Sequence, residues 1–437
     1  MVRFHVVLAL LASASHLAVG QARPDSTVGD SALRVFFDCP DYSSGCDFDF
    51  LRTEITWVSW VRNREDAEVH ALVTTQHTGG GGGEYTLSLI GLRRFAGKSD
   101  TLRYYASGTS TTDEVRTGLA HTIALGLARY AAATPQARNL SVAYEAPATS
   151  PTASPRDRWN SWVFTISGGT YLNGQSQTHS TSINGSVEAT RTTAAWKQTF
   201  SLSEYYSEDV FKDVPLYDTL GNQIGIQDVK SISRQYGGDA LVVRSLGSHW
   251  SFGLQGSFNH SSFSNLDLAV TAGPAIEYDL YPYAQSTRRQ LTLQYGLAPQ
   301  YFNYTDTTIF NRTRETLGRQ SLTASLGVTQ PWGTAHVSLI GSNYLQDFQK
   351  NRVTLVGSVN VRLVKGLSLN IFGNIARIHD QLSLPKGGAS DAEILLQRRE
   401  LLTSYRYFTY LNLSYHFGST LNNVVNPRFG GTGTMFF

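Results

Sequence analysis

The sequence is poor in sulfur and has no long apolar segment. Its 437 residues include only 2 Cys and 2 Met, and the formal net charge is +2. No internal apolar run is as long as a membrane-spanning helix, which needs about 20 residues. The near-neutral charge gives no field that favours nucleic acid. The 11 His are scattered without metal-ligand spacing, so we expect no metal, no cofactor and no nucleic-acid partner.

Aromatic residues and glycine are plentiful instead. The chain has Tyr 22, Phe 21 and Gly 39, with 16% charged residues. Its mean hydropathy of −0.21 is typical of a soluble protein. A transmembrane β-barrel escapes a hydropathy search, however, because only every second residue of each strand meets lipid. The composition therefore leaves both classes open.

The N-terminus has the pattern of a secretory signal peptide, which we assign to residues 1–20. Arg3 is followed by a short apolar run and by small residues at Ala18 and Gly20, and this run is too short to span a bilayer. The alternative is a buried N-terminal helix. Export to an oxidising compartment predicts a disulfide between Cys39 and Cys46, because two cysteines alone are too few for a metal site.

Residues 33–145 predict a small α+β domain. Apolar runs indicate strands at 33–38, 69–75, 85–92, 102–106 and 140–144, and helical spacing indicates helices at 48–62 and 113–132. The expected order is β-α-β-β-β-α-β. The run Gly79–Gly83 lies between two strands and lacks the residues that follow a phosphate-binding loop, so we interpret it as a hairpin turn.

This element order resembles the small N-terminal domain of the periplasmic protein of the Tol system. The matching stretch would be Asp66-Ala67-Glu68, followed by the strand VHALVTT and the glycine hairpin. The resemblance covers about a hundred residues. It implies a module for protein binding or assembly rather than an enzyme.

After a Pro/Ser/Thr-rich linker at 146–157, residues 158–418 predict about twelve antiparallel strands. Apolar and polar residues alternate along these segments, the period of a strand with one apolar face. Tight turns near 246–248, 331–333 and 364–366, and longer loops near 207–224, 304–314 and 381–402, are typical of an outer-membrane barrel. The alternative is a soluble β-sandwich. Residues 419–437 would form a C-terminal tail.

This half of the chain resembles the broad class of uncharacterised bacterial outer-membrane β-barrel proteins. The resemblance implies a location in the outer membrane, contact with its lipid and recognition by the barrel-insertion machinery. An even number of strands would leave both ends of the barrel in the periplasm. The α+β domain would then be periplasmic.

Charged residues on the expected inner faces are candidates for lining the lumen: Lys197, Arg244, Asp267, Glu277, His336 and Arg362. They would filter solutes by charge, or pair with one another and fill a narrow lumen. His336 and Ser338 also resemble the His-x-Ser pair of outer-membrane phospholipase. Here we expect both to point inward without a third catalytic residue, so no catalytic residue is assigned.

A short amphipathic helix is expected at 391–402, either as a lid, as a contact for a partner or as a solvated loop helix. The favoured hypothesis is that the barrel anchors the chain while its periplasmic domain binds or assembles with an envelope protein. The long tether favours it. A passive, porin-like channel for small solutes is the alternative, and a lipid-modifying enzyme is a third hypothesis. We therefore predict that the protein is not an enzyme.

Overall fold

The computed structural model describes residues 32–39, 45–141, 143, 157–217, 220–387, 400–419 and 423. The predicted signal peptide and nearly all of the predicted linker lie outside these residues. Two regions are seen. A small α/β region contains five strands and two helices, and a sheet of twelve antiparallel strands follows it.

The α/β region consists of one mixed sheet packed against two helices, and its hydrophobic core lies between them. The sheet order is β2-β1-β3-β4-β5, with β1 parallel to β2 and β3, and the β3–β4 and β4–β5 pairs antiparallel. Its elements are β1 (Arg34–Asp38), α1 (Phe48–Glu54), β2 (Ser59–Trp60), β3 (Val69–His77), β4 (Gly83–Gly91), β5 (Ser99–Ala106) and α2 (Thr112–Ala131).

Local sequence explains both helix starts and the hairpin. Asp47 caps α1 through Phe50 N, and Thr111 with Glu114 forms a complete capping box at α2. The predicted hairpin at the glycine run is confirmed between β3 and β4. Gly81 has φ +77°, and a side chain at Gly79 would collide with Thr192 of the large sheet, so glycine is required here.

Two predictions in this region are wrong. The helix predicted at 48–62 ends at Glu54, because residues 59–60 pair with β1 as strand β2. The predicted strand 140–144 is not seen at 140, 141 or 143, and residues 142 and 144 lie outside the described residues. The predicted disulfide is present between Cys39 and Cys46.

The large sheet confirms the prediction of about twelve antiparallel strands, and each strand pairs with the next along the chain. Between its described edges, β6 pairs with β7 alone and β17 with β16 alone. The strands are β6 (Trp162–Gly174), β7 (Thr178–Thr192), β8 (Trp196–Tyr217), β9 (Gln223–Ser245), β10 (Trp250–Ser261), β11 (Leu266–Asp279), β12 (Arg289–Tyr304), β13 (Arg314–Gln330), β14 (Gly333–Tyr344), β15 (Asp347–Val364), β16 (Leu367–Ile378) and β17 (Tyr405–Tyr415).

We call the end of this sheet at which β6 begins and β17 ends the proximal end, and the opposite end the distal end. The predicted tight turns near 247, 332 and 365 all lie at the proximal end, whereas the connections 305–313 and 379–404 are distal. The loop predicted at 207–224 is wrong, since β8 continues to Tyr217 and β9 begins at Gln223. The predicted helix at 391–402 lies mostly outside the described residues, and Glu400 to Leu402 are not helical.

The exposure of the two faces is the reverse of that in a soluble protein. Along β12, Leu293, Tyr295 and Leu297 are 40–49% exposed, whereas Thr292 and Gln300 are 6% and 7% exposed. The same alternation occurs in β10 and β11. The polar side chains are therefore crowded by their neighbours, whereas the apolar side chains are open to the surroundings. No helix in the described part of the chain is long and apolar enough to span a membrane.

Candidate functional site at the proximal end of the sheet

Three of the predicted lumen residues lie on the polar face of the sheet. Lys197 shares its face with Thr199 and Ser201, and Glu277 accepts a hydrogen bond from Tyr283 Oη at 3.1 Å. His336 also lies on this face, opposite Ser358. Asp267 differs from the prediction: it lies in a β-bulge of β11 and accepts a 2.7 Å hydrogen bond from Asn303, which shares its face of β12 with the exposed Tyr301, so Asp267 lies on the apolar side of the sheet. Whether these residues line a lumen remains a prediction.

Arg244 differs from the prediction because it lies on the apolar face. It stands opposite Phe252 of β10, which is 42% exposed, and its guanidinium carbon is 5.1 Å from the centre of the Trp196 ring. Paired residues of an antiparallel ladder project to the same side. Arg244 is therefore at the proximal margin of the apolar face, where a long cationic side chain reaches water.

His336 and Ser338 lie on the polar face, as expected from their spacing. The hydroxyl of Ser338 is 2.8 Å from that of Ser325 on the neighbouring strand. Among the described residues, no hydrogen bond joins Ser338 to His336 or orients the imidazole. This pair therefore lacks the base-to-nucleophile contact of a hydrolytic site.

Arg362, the sixth predicted lumen residue, binds the α/β region. Its two terminal nitrogens donate to Oδ1 and Oδ2 of Asp38 at 2.8 Å each, and its guanidinium lies 4.9 Å from the centre of the Phe36 ring. One nitrogen also donates to Pro331 O at 3.1 Å. A bidentate Arg–carboxylate pair is the strongest common form of ion pair. Arg362 therefore holds the α/β region against the sheet.

His70 completes the cluster on the side of the α/β region. Its side chain is fully buried, and Nε2 is 3.1 Å from Oδ2 of Asp38. The Asp38 side chain itself is only 8% exposed. Asp38 therefore joins the core of its own region, through His70, to the end of the large sheet, through Arg362.

The protonation states follow from burial and hydrogen bonding. Burial alone raises the pKa of Asp38, but the hydrogen bonds from His70 and Arg362 outweigh it and lower that pKa below its ordinary value. Burial lowers the pKa of His70, and the bond to Asp38 offsets only part of this effect. At neutral pH the cluster thus holds an ionised Asp38 and a neutral His70 that donates through Nε2–H.

Further contacts extend this interface across the proximal end. Lys365 Nζ is 2.8 Å from Oδ1 of Asp66, and Arg62 donates to Phe417 O at 3.1 Å. The side-chain amide of Asn423 makes two hydrogen bonds to the backbone at strand β2. It accepts one from Trp60 N and donates one to Val58 O, at 2.7 Å each. The α/β region is therefore held by the Arg362 and Lys365 side chains at the end of β15, by the Phe417 carbonyl after β17 and by Asn423.

Neither a metal site nor a phosphate loop is evident. Within the described residues, no group of three or more His, Cys, Asp or Glu side chains is placed to hold a metal ion. The glycine run turns a hairpin and does not begin a helix. Reasoning from the sequence missed Asp38, His70 and Arg62, because no local pattern marks a contact between residues some 300 positions apart.

Part of the large sheet is similar to a known protein family. The model of a family described as "Protein of unknown function, DUF481" matches residues 168–381, which span most of the twelve-stranded sheet from within β6 to the end of β16. No curated protein matches the chain. The similarity is compatible with a β-barrel protein and names no activity.

Proposed function

We propose that the chain is a bacterial outer-membrane β-barrel protein whose α/β domain, in the periplasm, binds or assembles with an envelope partner. The observation that carries the first half is the reversed exposure of the sheet. Soluble monomers rarely expose large continuous apolar surfaces, yet apolar side chains on strands β6 to β17 are exposed along one face. A lipid environment accounts for this face.

In this proposal the sheet closes by pairing β6 with β17. In the hydrocarbon core of a membrane, each unpaired backbone group at a sheet edge costs roughly several kcal/mol, because no water is present to bond with it. The two edge strands have similar lengths, 13 and 11 residues. Both run the full height of the shorter strands, so closure would satisfy both edges together. Cysteines at facing positions of β6 and β17 that form no disulfide in membranes would contradict closure.

The position of the α/β domain supports its periplasmic location. An even number of strands brings the beginning of β6 and the end of β17 to the same end of the sheet, which is the end that the domain contacts through Asp38 and Arg362. In outer-membrane barrels with an even strand count, both chain ends face the periplasm. The domain would therefore sit below the barrel.

A partner would bind the open edge of the domain's sheet. Strand β5 is an edge strand, and Tyr105 on it is 59% exposed. An extended segment of a partner adds readily to such an edge. The resemblance to the Tol-system domain likewise implies a module for binding or assembly.

Gel electrophoresis tests the proposal that the sheet is a membrane barrel. Outer-membrane extract of the full-length chain should migrate faster unboiled than boiled, because a folded barrel resists detergent. A protein recovered soluble from the periplasm, without this shift, would refute the barrel.

The partner half is tested by photo-crosslinking in cells. A photoreactive residue at position 105 should give one discrete adduct with an envelope protein. The same residue at Leu172, which is 70% exposed near the distal end, serves as the control. Absence of an adduct specific to position 105 would count against assembly through this edge.

A passive, porin-like channel is the second candidate, favoured by the polar inner face. It requires a solute path past the docked domain. Purified protein in planar bilayers should then conduct, and Arg362→Gln, which loosens the docked domain, should raise the conductance. Lack of conductance in both forms would exclude it. A lipid-modifying enzyme, the third candidate, rests only on His336 and Ser338.

A further inference from the structure

A cavity of about 370 Å³ lies between the α/β region and the proximal end of the sheet. Both regions contribute to its walls, and Arg362 and Ser368 bring the proximal end of the polar face into its lining. The α/β region supplies residues of β1, the start of α1 and the segment 62–65. The sheet supplies the end of β15, the turn at Gly366 and the start of β16.

One wall of the cavity is aromatic. It is formed by Phe37 and Phe48, whose rings stack with centres 5.5 Å apart, while Phe36 projects from the opposite face of β1 and lines the cavity beside Arg362. Leu367 adds an apolar surface from the sheet side. This wall suits a flat or short apolar body. The volume falls within the range typical of small-molecule sites, about 300–1,000 Å³.

The other wall is cationic, with hydrogen-bond donors that the protein does not satisfy. Arg62 and Arg64 both line the cavity, and the Nε atom of each is buried without a hydrogen-bond partner. Among the described residues, no carboxylate forms an ion pair with Arg64. Buried donors without acceptors are rare in folded proteins. These two nitrogens are therefore available to an acceptor on a bound molecule.

The charges around the cavity limit that acceptor to a single negative charge. The lining contains three arginines, Arg62, Arg64 and Arg362, and two carboxylates, Asp38 and Glu65. Arg362 is already neutralised by Asp38, which leaves a balance of one positive charge when Glu65 is counted. A doubly charged phosphate would meet repulsion from Glu65 at this site. A carboxylate fits the balance.

We propose that this cavity binds a small amphipathic carboxylate, with its apolar body against the phenylalanines and its carboxylate on Arg64 and Arg62. Because the site is shared between the two regions, the ligand also stabilises their docking: a molecule that binds only the docked arrangement shifts the equilibrium towards it. The inference goes beyond the proposed function. Its test in a lipid bilayer rests on the proposed membrane location, which the gel shift tests separately.

The test is calorimetric titration of the full-length chain in nanodiscs of zwitterionic lipid. The probe is 3-phenylpropionate, compared with 3-phenylpropanol, which lacks the charge, and with propionate, which lacks the apolar body. We expect saturable binding of one 3-phenylpropionate per chain, and at least tenfold weaker binding of both analogues.

Two variants and one control locate the site. Arg64→Gln removes the unsatisfied cation, and Ser368→Phe fills the cavity from the sheet without changing its charge; each should weaken binding at least tenfold. Arg138→Gln, an exposed arginine remote from the cavity, should leave it unchanged. The gel shift of each variant checks that it folds. Equal affinity of wild type and Arg64→Gln, equal binding of the neutral analogue, or no saturable binding to wild type would each overturn the proposal.

Discussion

Replacing Arg362 with Gln tests whether the Asp38 cluster holds the α/β region against the sheet. In the wild type the buried Asp38 carboxylate accepts two 2.8 Å hydrogen bonds from Arg362 and one from His70 at 3.1 Å. The substitution leaves this carboxylate buried with the His70 bond alone. Removing one partner of a buried ion pair costs about 3–5 kcal/mol.

The expected loss lies below that range. The Arg362 side chain is 34% exposed, so solvent already weakens the pair, and His70 still satisfies one oxygen of Asp38. We therefore expect Arg362→Gln to destabilise the α/β region by about 2–3 kcal/mol. Asp38→Asn should cost less, about 1–2 kcal/mol, because the partly exposed arginine regains water. The double variant should lose far less than the sum.

Hydrogen exchange of the full-length chain measures the loss of stability in the α/β region itself. Amides of β1 and β3 report opening of the α/β region separately from the large sheet. Lys365→Gln is the matched control: its ion pair with Asp66 is half-exposed on the lysine side and should contribute less than about 1 kcal/mol. If Arg362→Gln and Lys365→Gln lose equal protection, or if the Asp38–Arg362 coupling is below about 0.5 kcal/mol, the argument fails.

Three further predictions follow from single features. The folded-state pKa values of His70 and Asp38 are both depressed, so the α/β region should lose stability on acidification. The loss should begin below about pH 6.5, where His70 protonates in the unfolded chain, and a second loss should follow below about pH 4, where Asp38 does the same. Urea unfolding at several pH values measures both phases, and His70→Gln should remove the upper one. Thr111→Ala should cost about 1 kcal/mol at the start of α2, seen as a lower urea midpoint. Leu293→Arg should reduce folding into lipid vesicles by about 2–4 kcal/mol, whereas Gln294→Arg on the polar face should not; equal tolerance would mean that the apolar face does not meet lipid.

The strand pattern of the large sheet was predictable because one of its faces is apolar along most strands. In β12 and β16 each apolar residue has a polar or small neighbour, and this period is a local property of the sequence. The pattern failed at Leu241-Val242-Val243, where three consecutive apolar residues give no alternation. The assignment of Arg244 to the polar face was wrong for that reason.

The candidate site was hardly predictable. The run Trp57 to Val61 fits a helix and a strand equally well, and only pairing with β1 selects the strand at Ser59–Trp60. Likewise, Arg362 was singled out as a polar-face residue, but its partner Asp38 is 324 positions away. A contact of this kind is decided by how two folded regions dock, which no local pattern encodes.

The soluble-sandwich alternative meets a specific difficulty in the position of the α/β region. Burying one large apolar side chain is worth about 1.5–3 kcal/mol, so a soluble protein with this sheet needs a second layer over its apolar face. The α/β region contacts the proximal turns and the ends of β15 and β17, and leaves Leu293, Leu322 and Leu355 at 43–54% exposure. Within the described residues, therefore, the sheet has no covering layer of its own. The proposed closed barrel accounts for this arrangement, because lipid would then cover the apolar face while the polar face lies inside.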